Sequence, residues 1–124
     1  MSDAFVRDLN RIRRRRGLPV FRIDEVMLRR LTEPHNHWQV RRGDISHGRG
    51  ANTMSRRADR AGFGRSAMGE CVAMSTYDQP DFVDQYRGSP PHWRILMDRD
   101  FTVIAVSTLY DPASGAYYSA VNVR

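Results

Sequence analysis

The sequence predicts an α+β fold in which helices come first and an antiparallel sheet closes the chain. Three observations predict it. Apolar residues recur at three- and four-residue spacing through the first forty positions. The middle of the chain holds one short strand-like segment, residues 68–74. The last quarter holds two apolar segments, 101–109 and 116–123, joined by Asp111-Pro112-Ala113-Ser114-Gly115, which reads as a hairpin turn. Helices followed by strands favour this class over a doubly wound parallel sheet. The 124 residues fit one domain, 1–124, with one core.

Each element has a local reason. Ser2 or Asp3 is placed to cap a first helix carrying Phe5, Leu9 and Ile12, and Gly17 is placed to end it. Gly17-Leu18-Pro19 is a turn. Asp24 caps a second helix with an apolar face of Val26, Met27, Leu28 and Leu31. Pro34 is expected to break or kink it before Trp38 continues the face. Residues 43–52 are poor in apolar side chains and rich in glycine, an irregular loop that contains His47. Thr53 caps a short helix through Ala61, ended by Gly62, with Arg56, Arg57 and Arg60 on the solvated side. After the strand, Pro80 suits the first turn of a further helix, with Asp81 and Asp84 near its positive end and Phe82, Val83 and Tyr86 turned inward. Gly88 to Pro91 stops it.

Bulk properties narrow the function. The formal net charge is +6, and every one of the 20 basic residues is arginine. GC-rich coding is the simplest account of that bias. The run Arg13-Arg14-Arg15-Arg16 is the obvious patch for nucleic acid. It also ends a helix, where cations meet the negative end of the dipole, and no aromatic residue interleaves it as a stacking platform would. Nucleic acid is therefore disfavoured as a partner. No apolar run approaches the roughly 20 residues of a membrane span, and the first residues do not read as a signal peptide. Cys71 is the single cysteine, which excludes an internal disulfide.

The chemistry concentrates in three stretches: His47, Gly69-Glu70-Cys71 and Ser89-Pro90-Pro91-His92. Brought together, two imidazoles and a carboxylate make a ligand set for zinc or another divalent metal, or a proton-transfer group near neutral pH. His47, Glu70 and His92 are thus the candidate metal ligands and candidate catalytic residues. A nucleophilic alternative would use Ser89 with His92 and Glu70, or Cys71 with a histidine. Cys71 alternates with Glu70 along a strand and should face the core as an inert thiol. Ser89 also suits an N-cap before Pro90. His35 is expected to hydrogen-bond within the helix layer, and His37 to face elsewhere. Trp38, Trp93, Tyr86 and Phe101 read as core aromatics that could line a groove.

These residues resemble, in order, the landmarks of the CAP superfamily, also called SCP-like. Leu9-Asn10 with Arg13 and Gly17-Leu18-Pro19 is similar to the family's opening stretch, and His35 and His47 keep the family's separation. Ala61-Gly62-Phe63 followed by Gly69-Glu70-Cys71-Val72-Ala73 resembles its Gly-Glu-Asn strand, with Cys71 in the usual Asn position. Tyr86-Arg87-Gly88-Ser89-Pro90-Pro91-His92-Trp93-Arg94-Ile95-Leu96 resembles its bacterial histidine signature. Asp100-Phe101-Thr102 follows, and Tyr117-Tyr118 fits its closing aromatic pair. The resemblance implies an α/β/α sandwich around a central antiparallel sheet and a cleft built from His47, Glu70, His92 and Ser89. Ser89 stands where many members carry a second acid. It further implies a bacterial or phage protein at the cell envelope, outside the cell or in a virion. Such a protein would bind a divalent metal, a sterol or other lipid, or an envelope or virion protein. The runner-up functions are a metal-dependent hydrolase of peptide or cell-wall substrates, and a structural or assembly module with a vestigial cleft.

Overall fold

The computed structural model describes residues 2–64 and 66–124, the side chain of Ser2 excepted, so a capping role for that side chain lies outside the described residues. The chain runs α1 (Ser2–Arg15), β1 (Arg22–Ile23), α2 (Glu25–Met27), a π-helical turn (Leu28–Thr32), α3 (Glu33–Arg42), a 3-10 turn (Gly50–Asn52), α4 (Met54–Ala61), β2 (Gly69–Ser75), α5 (Phe82–Arg87), α6 (Pro90–Leu96), β3 (Val103–Asp111) and β4 (Ala116–Val123). The sheet order is β1-β3-β4-β2. β4 pairs antiparallel with both β2 and β3, as the α+β class requires. The two-residue β1, which the sequence does not announce, adds a parallel edge through Arg22–Val103 and Ile23–Ile104.

Alternation along the strands divides the core into two. On one face Cys71, Ala73, Ile104, Val106, Val121 and Val123 meet Phe5, Leu9, Phe82, Tyr86 and Leu96 from α1, α5 and α6. On the other, Val103 and Ala105 meet Met27, Leu31 and Ala61. The sheet is thereby sandwiched between helices. Cys71 is fully buried on the first face, and burial pushes its thiol up to about 12, which makes it the inert core residue that alternation predicts. Asp24, Thr53 and Gly62 cap as expected, the Asp24 carboxylate accepting from the Val26 and Met27 amides.

Three expectations are corrected. Pro34 does not break the second helix. The helical path runs from Glu25 to Arg42, because the preceding turn widens so that the Glu33 amide reaches back five residues to the Leu28 carbonyl, which accommodates a ring with no N–H to give. Val26, placed on the apolar face, is exposed. The run Arg13–Arg16 is not one surface patch, since Arg13 is 0% exposed. Its guanidinium donates to four carbonyls: Pro19 at 2.7 Å, Leu96 at 2.7 Å, Asp98 at 3.1 Å and Phe101 at 2.7 Å. It lies 3.9 Å over the Phe21 ring. One side chain therefore ties α1 to the turn after it, to the end of α6 and to the approach to β3.

A lysine can neither present this planar fork nor reach all four carbonyls. Arg13→Lys is expected to lower unfolding stability by about 2–4 kcal/mol through unsatisfied carbonyls, while Arg14→Lys stays within about 0.5 kcal/mol. Urea unfolding of the two variants checks this, and equal midpoints would contradict it.

Candidate functional site

Glu70 sits near the start of β2, on the sheet face covered by α3 and α4, directly across from Asn122 of β4. Its side chain is 1% exposed and both oxygens are taken. Oε2 accepts from Arg57 Nη1 at 2.8 Å and from Asn122 Nδ2 at 2.9 Å. Oε1 accepts from Arg57 Nη2 at 2.9 Å and lies 3.0 Å from His47 Nδ1. An ionised carboxylate can only accept, so His47 carries its hydrogen on Nδ1. Burial alone would raise the Glu70 carboxyl, but the bonds from His47 and Arg57 and the charge of Arg57 outweigh it and hold the group at about 2. The same bond to Glu70 raises His47 against the cost of its partial burial.

Arg57 corrects the sequence reading. The pattern places it on the solvated side of α4 with Arg56 and Arg60, whereas it is buried with Ala58 and Ala61. Positions 57, 58 and 61 share one helical face, and the two alanines mark that face as the packed one. Besides its two bonds to Glu70, Arg57 donates to Asn52 O at 2.7 Å and His47 O at 3.0 Å, and so fixes the loop that carries His47. Gly48, at φ +88, turns that loop where a Cβ would collide with the Asn52 carbonyl.

His35 hydrogen-bonds within the helix layer as expected, and it also reaches the site. Its Nε2 donates to Ser46 O at 2.7 Å and lies 3.9 Å from Glu70 Oε1. Burial lowers its pKa and keeps it neutral. The neighbouring polar side chains carry no signal in the apolar pattern. Thr32 donates to Asn122 Oδ1 at 2.8 Å, Asn36 donates to the Ser107 and Tyr118 carbonyls, and Gln39 donates to Asn36 Oδ1 and accepts from the Ser46 amide. His37 faces away, exposed, 4.0 Å from Glu33.

His92 approaches from the opposite layer. Ser89-Pro90-Pro91-His92, read as a turn, opens α6 with Ser89 at its N-cap. Ser89 Oγ lies 2.8 Å from His92 Nδ1 and bonds no helix amide. Gly69 lets α6 come close, because a Cβ there would meet Ile95 and Val123. Partial burial, then the charge of His47, lower the pKa of His92. The structure thus brings His47 to Glu70 and Ser89 to His92 as two bonded pairs. Tyr86 is core, bonded through its hydroxyl to Ser119 Oγ at 2.8 Å.

A metal fits this arrangement poorly. Among the described residues no group of three or more His, Cys, Asp or Glu side chains is placed to hold an ion, and the Glu70 oxygens already accept four hydrogen bonds. A cation bound by Glu70 would have to displace Arg57. For nucleophilic chemistry, the Ser89–His92 pair exists, while Glu70 is bonded to His47 rather than to His92.

No sequence-family model matches the chain, and no curated protein matches it. Solved structures do. It is similar to an outer surface protein from Borrelia burgdorferi, with a TM-score of 0.86 at 16% identity over 98% of this chain and 89% of that one. An extracellular protein containing a SCP domain from Bacillus anthracis gives 0.81 at 22% identity, over 99% of this chain and 40% of that one. A cysteine-rich secretory protein from Staphylococcus aureus gives 0.76 at 13% identity, over 97% of this chain and 36% of that one. The chain therefore spans well under half of the latter two proteins. At these identities the likeness is one of fold, and the fold is SCP-like.

The Glu70 geometry sets a pH dependence. A carboxyl held at about 2 when folded and at its ordinary 4.5 when unfolded adds stability above pH 4.5 that disappears as the pH falls towards 2, on the order of 3 kcal/mol. Arg57→Met removes the cation that holds Glu70 down. It is expected to cost about 3–5 kcal/mol at neutral pH and to move the carboxyl titration upward, read by carbon-detected NMR. A Glu70 titration unchanged in Arg57→Met would show that the pair does not control the site.

Proposed function

We propose that this chain is an extracellular or cell-surface SCP-type binding domain that recognises its partner through the surface around His47, Ser89 and His92, without chemistry of its own at Glu70. The observation that carries the reading is the full engagement of Glu70 by Arg57, Asn122 and His47. The carboxylate that would serve as metal ligand or general base is instead the internal anchor of the site. The groups left to face a partner are the exposed imidazole of His47 and the Ser89–His92 pair. An extracellular setting is supported by the descriptions of the structural neighbours as an outer surface protein, an extracellular protein and a secretory protein. A lipid or an envelope protein is a fitting partner class, because neither demands a cation at the carboxylate.

The 2.8 Å contact between Ser89 Oγ and His92 Nδ1 favours a second reading, hydrolysis by an activated serine. Among the described residues no carboxylate pairs with His92 to orient the ring, so the binding reading is preferred.

Two measurements separate these readings. Calorimetric titration of zinc into the wild type, His47→Ala and His92→Ala is expected to give no histidine-dependent heat, and a one-site isotherm lost in both variants would establish metal binding instead. Hydrolysis of p-nitrophenyl acetate is expected to run at the same rate in the wild type and Ser89→Ala. A tenfold or greater loss in Ser89→Ala would establish the hydrolase.

A further inference from the structure

We propose that the cavity between the α3 region and α4 is a binding site for a small organic anion, a carboxylate or phosphate carried on an apolar body. The cavity measures about 510 Å³, and Arg30, Arg41, Arg57 and Arg60 stand in its wall with no carboxylate among the lining residues. Glu70 compensates Arg57 from behind the wall, so Arg30, Arg41 and Arg60 remain without an acid, and their like charges around one space favour an entering anion. Outside the cavity, Arg11 pairs with Asp8 and Arg124 with Asp24.

The four cations differ in what they have left to give. Arg57 is neutralised by Glu70, and four of its N–H groups are engaged. Arg60 is held by Ala51 O and by Asn52 Oδ1 at 3.1 Å, which fixes it at the rim. The guanidinium groups of Arg30 and Arg41 have no hydrogen-bond or ion-pair partner among the described residues. They are the free cations for a ligand, in a wall that Arg57 and Arg60 hold in shape.

His35 supplies an independent observation. Its side chain, 1% exposed, forms part of the same wall, and its Nδ1 has no hydrogen-bond partner. With Nε2–H given to Ser46 O, Nδ1 is a bare acceptor, an arrangement that is rare in buried positions. The remaining apolar wall is Leu31, Pro34, Trp38 and Ala61. The Trp38 ring stacks on His35 at 5.3 Å and lies 4.7 Å from the Arg42 guanidinium. The volume lies in the range of sites that take organic molecules and exceeds what a bare inorganic ion needs. The proposal does not rest on what the surface around His47 and His92 binds.

The test uses 1-naphthyl phosphate and 1-naphthoate as probes, titrated into the 124-residue chain by calorimetry with Trp38 fluorescence as a second readout. One saturable site is expected for at least one probe, the pair showing which anionic group is preferred. Neutral 1-naphthol and inorganic phosphate are each expected to bind at least tenfold more weakly. Arg30→Gln/Arg41→Gln is expected to weaken the probe at least tenfold with an unchanged thermal midpoint, since both residues are exposed. Arg14→Gln/Arg15→Gln, on α1, is expected to leave it unchanged. Absence of saturation, 1-naphthol binding as tightly as the anions, or equal losses in the two double variants would overturn the proposal.

Discussion

The buried ion pair of Arg57 and Glu70 is the constraint on which the site depends. Two charges removed from water are costly unless each is paired and its remaining hydrogen-bonding groups are met. Here they are met by Asn122 on the adjacent strand, by the His47 side chain, by the His47 and Asn52 carbonyls of the loop, and by the pair itself. The pair therefore does more than neutralise a carboxylate. It fixes α4 to the sheet and holds the 43–52 segment, which has little apolar surface of its own, over the end of β2. Removing either charge leaves the other stranded, so the placement of the His47 loop and the charge state of Glu70 stand or fall together.

The fold was legible wherever hydrophobic periodicity sets it. Phe5, Leu9, Met27, Leu31, Phe82, Val83 and Tyr86 all lie buried on the faces their spacing indicates, and the hairpin closes over Asp111–Gly115 as its turn residues require. The polar half of the interior was not legible. α3 buries His35, Asn36 and Gln39, which a pattern of apolar spacing does not register. Asn36 and Gln39 find partners on strands 71 to 82 positions away, so no local signal pairs them. Arg13 and Arg57 illustrate the same limit. Each lies among other arginines; for Arg57 the only local signal is the face it shares with Ala58 and Ala61, and for Arg13 tertiary packing decides which one turns inward.

The candidate site divides in the same way. His47, Glu70, Ser89 and His92 were legible as chemistry-bearing residues in three loops or element ends, and the order of landmarks along the chain pointed to one cleft. What could not be read was how they pair. Glu70 goes with Arg57 and His47, whereas His92 goes with Ser89. That division depends on the register that sets Glu70 opposite Asn122 and on the close approach of α6 that Gly69 permits.

Charge balance then argues about what this surface can receive. Glu70 is the only carboxylate among His47, Glu70, Ser89 and His92, and Arg57 cancels it. The cavity beyond Arg57 adds Arg30, Arg41 and Arg60. A divalent cation approaching from solvent would meet a neutral to positive field and would have to break the bonds from Arg57 to reach an oxygen of Glu70. An anionic ligand meets no such barrier, and its charge would be favoured by Arg30, Arg41 and Arg60. The one acid of this set is thus a structural group, held by Arg57, Asn122 and His47.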